Sequence, residues 1–68
     1  MRNLFNLDFI KKRRIQMGIS QQKMAETLGF KNASTYLKYE SGTYSFKAEM
    51  IPILAKILNC SIENFFEK

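Results

Sequence analysis

The sequence predicts an all-α fold, a compact five-helix bundle, on three observations. Apolar residues recur at helical spacing through most of the chain. Asn6, Ser20, Asn32 and Ser61 each stand where a side chain would cap the start of such a run, and Gly18, Gly29 and Asn59 stand where one would stop. One proline and three glycines in 68 residues leave little to interrupt helices. The helices are expected at about 7–17, 21–28, 33–40, 47–58 and 62–66, in a single domain covering residues 1–68.

Asn6 can cap the first helix, with Asp8 in the first turn where its charge suits the helix dipole. Leu7, Ile10, Arg14 and Met17 share one face, so Arg14 lies in the middle of an apolar stripe. A guanidinium there needs a carboxylate partner, because an orphaned buried charge is too costly. Lys11, Lys12 and Arg13 read more simply as a solvated face, with contact to phosphates as the alternative.

Ser20 caps the second helix, whose inward face is Met24, Ala25 and Leu28. Lys23 stands where a capping box would place Glu or Gln, so that cap rests on the serine alone. After the turn Gly29-Phe30-Lys31, Asn32 caps a third helix. At 100° per residue it puts Tyr36, Tyr39 and Glu40 on one side, Ser34 and Lys38 on the other, and Ala33, Thr35 and Leu37 at the margins. Glu40, at the edge of the buried side, is the natural partner for Arg14.

Residues 41–46 read as a loop. The fourth helix carries an inward stripe of Ile51, Leu54, Ala55 and Leu58 and a second apolar strip of Met50, Ile53 and Ile57, which suits a central element or a subunit interface. Pro52 either lies one turn inside that helix or marks its true start. Ser61 caps a last short helix, Ile62–Phe66.

Size and composition exclude several classes of function. A chain this short buries only about 60% of its unfolded surface, enough for one core. A lone Cys60 and no histidine rule out an internal disulfide framework and a Cys/His zinc site, and Cys60 is expected to be a buried thiol. No apolar run approaches the roughly 20 residues that span a bilayer, and the N-terminus does not read as a secretory signal, so a cytoplasmic location and no membrane partner are expected. With no histidine, no glycine-rich phosphate loop, no plausible carboxylate pair and no base near Cys60, an enzyme is not expected. No metal, cofactor or small-molecule effector is evident.

The net charge of +5 is unevenly spread. Residues 1–47 hold nine Lys/Arg against Asp8, Glu26 and Glu40, whereas residues 48–68 hold Lys56 and Lys68 against three glutamates. One end of the molecule should therefore attract polyanions, and the other should not.

The run RRIQMGISQQKMAETLGF followed by YLKYESG resembles the Cro/repressor, or Xre-type, helix-turn-helix family of bacterial and phage regulators. The likeness covers roughly residues 7–66. It rests on Arg14, Ile19-Ser20-Gln21, Ala25, Leu28-Gly29, the Glu40-Ser41-Gly42 ending, and the tail Leu54-Ala55 to Leu58-Asn59-Cys60-Ser61-Ile62. It implies the phage-repressor-like DNA-binding fold, with the helix-turn-helix proper at about 20–40 and the third helix entering the major groove of double-stranded DNA.

Carried over position by position, the resemblance makes Ala33, Ser34 and Lys38 base-facing, with Asn32 and Thr35 flanking them; Asn32 joins the base-contact candidates. Gln21, at the N-terminus of the second helix, would hold a phosphate, and Lys31, Thr35, Ser41, Gly42 and Thr43 complete the backbone-contact candidates. Arg14 and Glu40 match the family's internal ion pair.

The spacing departs from the commonest form by one extra residue between Gly29 and Glu40, which is placed in the turn at Phe30-Lys31. Leu37, where a polar residue is more usual, reads as a tolerated exposed leucine, with contact to a thymine methyl as the alternative. Because one reading helix covers few base pairs, a homodimer on a palindromic operator is implied, with Met50, Ile53, Ile57 and Phe66 as dimer candidates. Phe65 is expected to close the monomer core, and an interface through Leu4 and Phe5 is the alternative. The function implied is a sequence-specific transcriptional regulator, a repressor because 68 residues leave no space for an effector or activation domain. The competing reading is an antitoxin-like or other protein-interaction module on the same fold.

Overall fold

The computed structural model describes residues 5–66, and within them side-chain caps start the first three helices where the sequence places them. Asn6 Oδ1 accepts the Phe9 amide at 3.0 Å and opens α1, Leu7–Gln16. Ser20 Oγ accepts the Lys23 amide at 3.0 Å and opens α2, Gln21–Leu28. Asn32 Oδ1 accepts the Thr35 amide at 3.2 Å and opens α3, Ala33–Glu40. Each cap satisfies an amide that the helix itself cannot, which is worth roughly 1 kcal/mol.

The stops are equally local. Gly29 takes φ +85°, its N–H returning to the Glu26 carbonyl at 3.1 Å while the Phe30 N–H reaches Ala25 at 2.8 Å. This is the Schellman closure, and it needs a left-handed residue at its corner. The same pair of bonds forms at Gly18 and at Asn59, where φ is +51°.

The expected helix over 47–58 is two pieces. A 3-10 turn, Ala48–Met50, leads into α4, Ile51–Ile57. Pro52 sits in the first turn of α4, where its missing N–H has no intrahelical acceptor to lose, so it marks the start of the α-helix. The expected fifth helix is also a 3-10 turn, Ile62–Phe65. There the Ser61 N–H donates to Asn64 Oδ1 at 3.1 Å and the Glu63 N–H to Ser61 Oγ at 3.3 Å, tight local bonds that suit the narrower turn. Among the described residues the bundle thus has four α-helices closed by a 3-10 turn.

Ile10, Met24, Ala25, Tyr36, Leu54, Leu58 and Phe65 form the fully buried core, drawn from every α-helix and the closing turn. Each large apolar member contributes roughly 1.5–3 kcal/mol. Met17, expected on the inward face of α1, is 39% exposed, because it follows the last helical residue and lies past the end of the covered stripe. Cys60 is half-buried rather than fully buried, and burial pushes its thiol pKa up against the opposing charge of Arg13.

Arg13 has a structural task. Its Nε–H donates to the Leu58 carbonyl at 2.8 Å and Nη2–H to the Asn59 carbonyl at 3.0 Å, so it caps the C-terminal end of α4 from α1. Of the three adjacent cations expected on a solvated face, Lys11 and Lys12 are exposed and Arg13 is half-buried.

The two ends of the described chain meet. Phe5 and Phe66 form an antiparallel bridge, the Asn6 N–H donates to the Phe65 carbonyl at 2.6 Å, and the Phe5 ring lies 5.5–5.8 Å from Phe46, Phe65 and Phe66. Phe65 closes the core, as the sequence predicts. Leu4, named with Phe5 as a second dimer surface, lies outside the described residues. Among the described residues, no helix is long and apolar enough to cross a membrane.

Candidate nucleic-acid interface

Helices α2 and α3 make the most extensive packing in the molecule, and the residues between them fix how α3 is presented. After the left-handed Gly29, the Phe30 ring stacks on Tyr39 of α3 at 4.9 Å with an 11° interplanar angle. The turn is therefore anchored through Phe30, and the first residue of α3 is Ala33.

The inward side of α3 is tied to α1 by a buried polar cluster. Arg14 Nε–H donates to Glu40 Oε2 at 2.8 Å and Nη2–H to Oε1 at 3.3 Å, with the two residues 9% and 6% exposed. The Tyr36 hydroxyl donates to Glu40 Oε2 at 2.6 Å, and Arg14 Nη1–H donates to the Ile19 carbonyl at 3.0 Å. One guanidinium thus holds both the entry to α2 and the exit of α3.

The bond to Glu40 raises the Arg14 pKa despite the opposing effect of burial. Burial, and then the bond to the Glu40 carboxylate, push the Tyr36 phenol far above its ordinary value. No buried side-chain nitrogen or oxygen among the described residues lacks a partner.

The outward side carries the residues expected to face bases. Ser34 and Lys38 are exposed, and Ala33 and Thr35 are half-buried at the margins. Leu37 is 44% exposed. Asn32 is more committed than the sequence suggests. Its Oδ1 accepts the Ser34 hydroxyl at 2.6 Å and the Thr35 hydroxyl at 3.3 Å, besides the Thr35 amide. The acceptor end of that carboxamide is fully engaged, and the chemistry it offers outward is its two N–H donors.

Of the backbone-contact candidates, Gln21 is half-buried at the first position of α2, where helix amides have no internal acceptors, and Lys31 is exposed in the turn. Ser41, Gly42 and Thr43 form an exposed loop pinned from within. Ser41 Oγ donates to the Lys38 carbonyl at 3.2 Å and lies 3.3 Å from Thr43 Oγ1, and the Tyr44 N–H donates to the Lys38 carbonyl at 3.1 Å. Gly42 has φ +93°, and a Cβ there would meet Leu7 Cδ1 at 3.2 Å, so conformation and space both favour glycine.

Tyr44 was not singled out from sequence. Its ring is 45% exposed and packs edge-on against Tyr39 at 5.4 Å, with Lys38 Nζ 5.6 Å above its centroid. The available signal was an aromatic in the loop following a helix that ends in a cation and a tyrosine.

The dimer candidates are separated by burial. Met50 is 9% exposed and spent within the protomer, Ile57 is half-buried, and Ile53 and Phe66 are 40% and 46% exposed. Ile62, at 42%, adds apolar surface that the sequence reading did not name. Among the described residues, no cluster of His, Cys, Asp or Glu is placed to hold a metal ion.

Comparison with known proteins agrees with this geometry. A family model described as helix-turn-helix matches residues 10–65. The chain is 38% identical over 58 residues to an uncharacterized HTH-type transcriptional regulator of Sinorhizobium medicae (strain WSM419), and equally to one of Rhizobium meliloti (strain 1021). Each alignment covers 85% of this chain and 41% of the relative, so the chain spans less than half the length of those proteins. No solved structure gives a significant match. With most of its length matched, and with a Schellman turn between two capped helices locked by Arg14 and Glu40, the chain belongs to the helix-turn-helix family, of the Cro/repressor (Xre) type.

Proposed function

We propose that the chain is a DNA-binding domain that recognises a palindromic operator as a homodimer, with α3 in the major groove, and that it acts as a cytoplasmic transcriptional repressor by occupying that site. The observation that carries this reading is the division of α3 into an inward side locked by Glu40 and Tyr36 and an outward side of small polar residues and one cation. Small side chains let the helix approach the base edges closely, and Lys38 supplies a donor to guanine O6 or N7.

Asn32 fits the same role in a restricted way. Bidentate pairing with adenine needs its oxygen as an acceptor, which the cap already occupies, so Asn32 favours acceptor-rich edges. The α2 N-terminus and the 41–43 loop supply amides and hydroxyls toward the flanking phosphates.

Size and surface support the dimer reading. Half-sites read by such domains lie about 34 Å apart. A protomer measuring 31 × 24 × 20 Å is of a size that suits such a spacing when two copies meet side by side. Ile53, Ile62 and Phe66, with the margin of Ile57, offer exposed apolar surface in the half of the chain that carries no excess positive charge. The carboxylates of Glu49 and Glu63 there favour that surface for self-contact rather than for DNA.

Titration of fluorescent duplex DNA across a salt series tests the proposal. Affinity should fall with salt at a log–log slope near −0.9 per phosphate contacted, and the complex should hold two chains per duplex. Salt-insensitive binding, or stoichiometric capture of a protein without DNA affinity, would instead make the fold an interaction module.

A further inference from the structure

We propose that Tyr44 is a positioning residue for Lys38, holding its ammonium at the outer face of α3 so that it addresses one base position. The inference rests on the DNA-binding reading and adds to it a residue outside the helix-turn-helix itself. Lysine reaches its charge through four rotatable bonds, and an exposed one spreads that charge over a wide arc. Here Lys38 Nζ lies 5.6 Å from the centroid of the Tyr44 ring, within the range of a cation–π contact.

Tyr44 is itself held through both its backbone and its ring. The Tyr44 N–H donates to the Lys38 carbonyl at 3.1 Å, which fixes the loop to the residue it serves. Its ring packs edge-to-face with Tyr39 at 5.4 Å and 69°, and Tyr39 in turn packs on Phe30 at 4.9 Å and on Phe46 at 5.4 Å. A chain of rings therefore runs from the turn before α3 to the loop after it, and Lys38 rests on its exposed end.

An ammonium over a ring engages one side only, and its remaining N–H groups stay available to a base acceptor, so the held conformer is competent for reading. At an exposed site such a contact favours the held conformer by a factor of about 2 to 5. Tyr44 thereby converts Lys38 from a diffuse charge, which would contact any phosphate, into a directed donor.

The test uses the intact chain and an operator selected from random duplexes. In the free protein the ring current should move the Lys38 Cε protons upfield. Tyr44→Leu should abolish that shift and Tyr44→Phe should keep it, with unchanged melting temperatures. On the operator, Tyr44→Leu should weaken binding about 2- to 5-fold and flatten the preference at one base position. Affinity for random DNA should stay unchanged, Tyr44→Phe should restore discrimination, and Tyr44→Leu should add nothing in a Lys38→Ala background.

A Tyr44→Leu variant that binds its operator as well as or better than wild type overturns the proposal, as does an equal loss on random DNA, which would make Tyr44 a phosphate contact. In both cases wild-type binding stays intact, so the DNA-binding reading survives. Wild-type protein that binds no duplex overturns both.

Discussion

The two sides of α3 obey different physics although they share eight residues. On the inward side, Glu40 accepts from Arg14 and Tyr36 in a site where both charged partners are at most 9% exposed, and every interaction is completed within the chain. On the outward side, Ser34 and Lys38 face solvent, and Leu37 is left 44% exposed. A buried polar cluster tolerates few geometries, because leaving any member unpaired costs more than the pairing contributes. Its constraint fixes the rotation of α3 about its axis, and so decides which residues face outward. The outward residues are under no such constraint from the fold, and on the proposed function their energetic partners would lie in another molecule.

Breaking the inward side should have the largest effect. Glu40→Ala leaves the Arg14 guanidinium buried without its carboxylate and should cost roughly 3–5 kcal/mol. That is comparable to what the core of so small a domain supplies, so thermal unfolding followed by circular dichroism should find the variant largely unfolded at 25 °C. Replacing the whole cluster, Arg14→Met and Glu40→Leu with Tyr36→Phe, should recover most of that loss.

Changing the outward side should move binding and not folding. Lys38→Ala should cost about 1–3 kcal/mol on the selected operator and relax one base position, while its melting temperature stays at the wild-type value. A uniform loss on specific and random duplexes would reassign Lys38 to a phosphate.

The loop and turn that frame α3 offer a finer contrast. Gly29 and Gly42 both have positive φ, but a Cβ at Gly29 meets nothing within 4 Å, whereas at Gly42 it presses on Leu7. Gly29→Ala should cost about 1 kcal/mol from conformation alone, and Gly42→Ala more, as read by urea unfolding.

One effect is absent at neutral pH and appears only in alkali. Tyr36 keeps its proton in the folded chain at pH values where the unfolded chain releases it, because its folded pKa is raised. Its contribution is therefore complete below pH 10 and declines above it, by up to about 1.4 kcal/mol per pH unit. Tyr36→Phe should remove that steepness, as read by urea unfolding across an alkaline pH series.

The same contrast explains what the sequence disclosed. Helix starts and stops were legible because Asn6, Ser20, Asn32, Gly18, Gly29 and Asn59 act on amides and carbonyls within a few positions of themselves. The Arg14–Glu40 pair was legible because a charge on an apolar stripe demands a partner, and only one carboxylate lay on a matching edge. Arg13 was misread because its acceptors are the Leu58 and Asn59 carbonyls, and a carbonyl leaves no mark in the residue alphabet. Pro52 admitted two placements until the 3-10 turn before it was seen. The role of Tyr44 depends on a loop returning to α3, a tertiary fact that periodicity does not encode.

Selection of duplexes bound by the wild-type chain from a random pool tests the central claim most directly, because it interrogates the outward side of α3 and the dimer together. The account predicts enrichment of a two-fold symmetric site whose half-sites are centred about 34 Å apart, with a guanine at the position lost on Lys38→Ala. A bound pool with no sequence enrichment would contradict it.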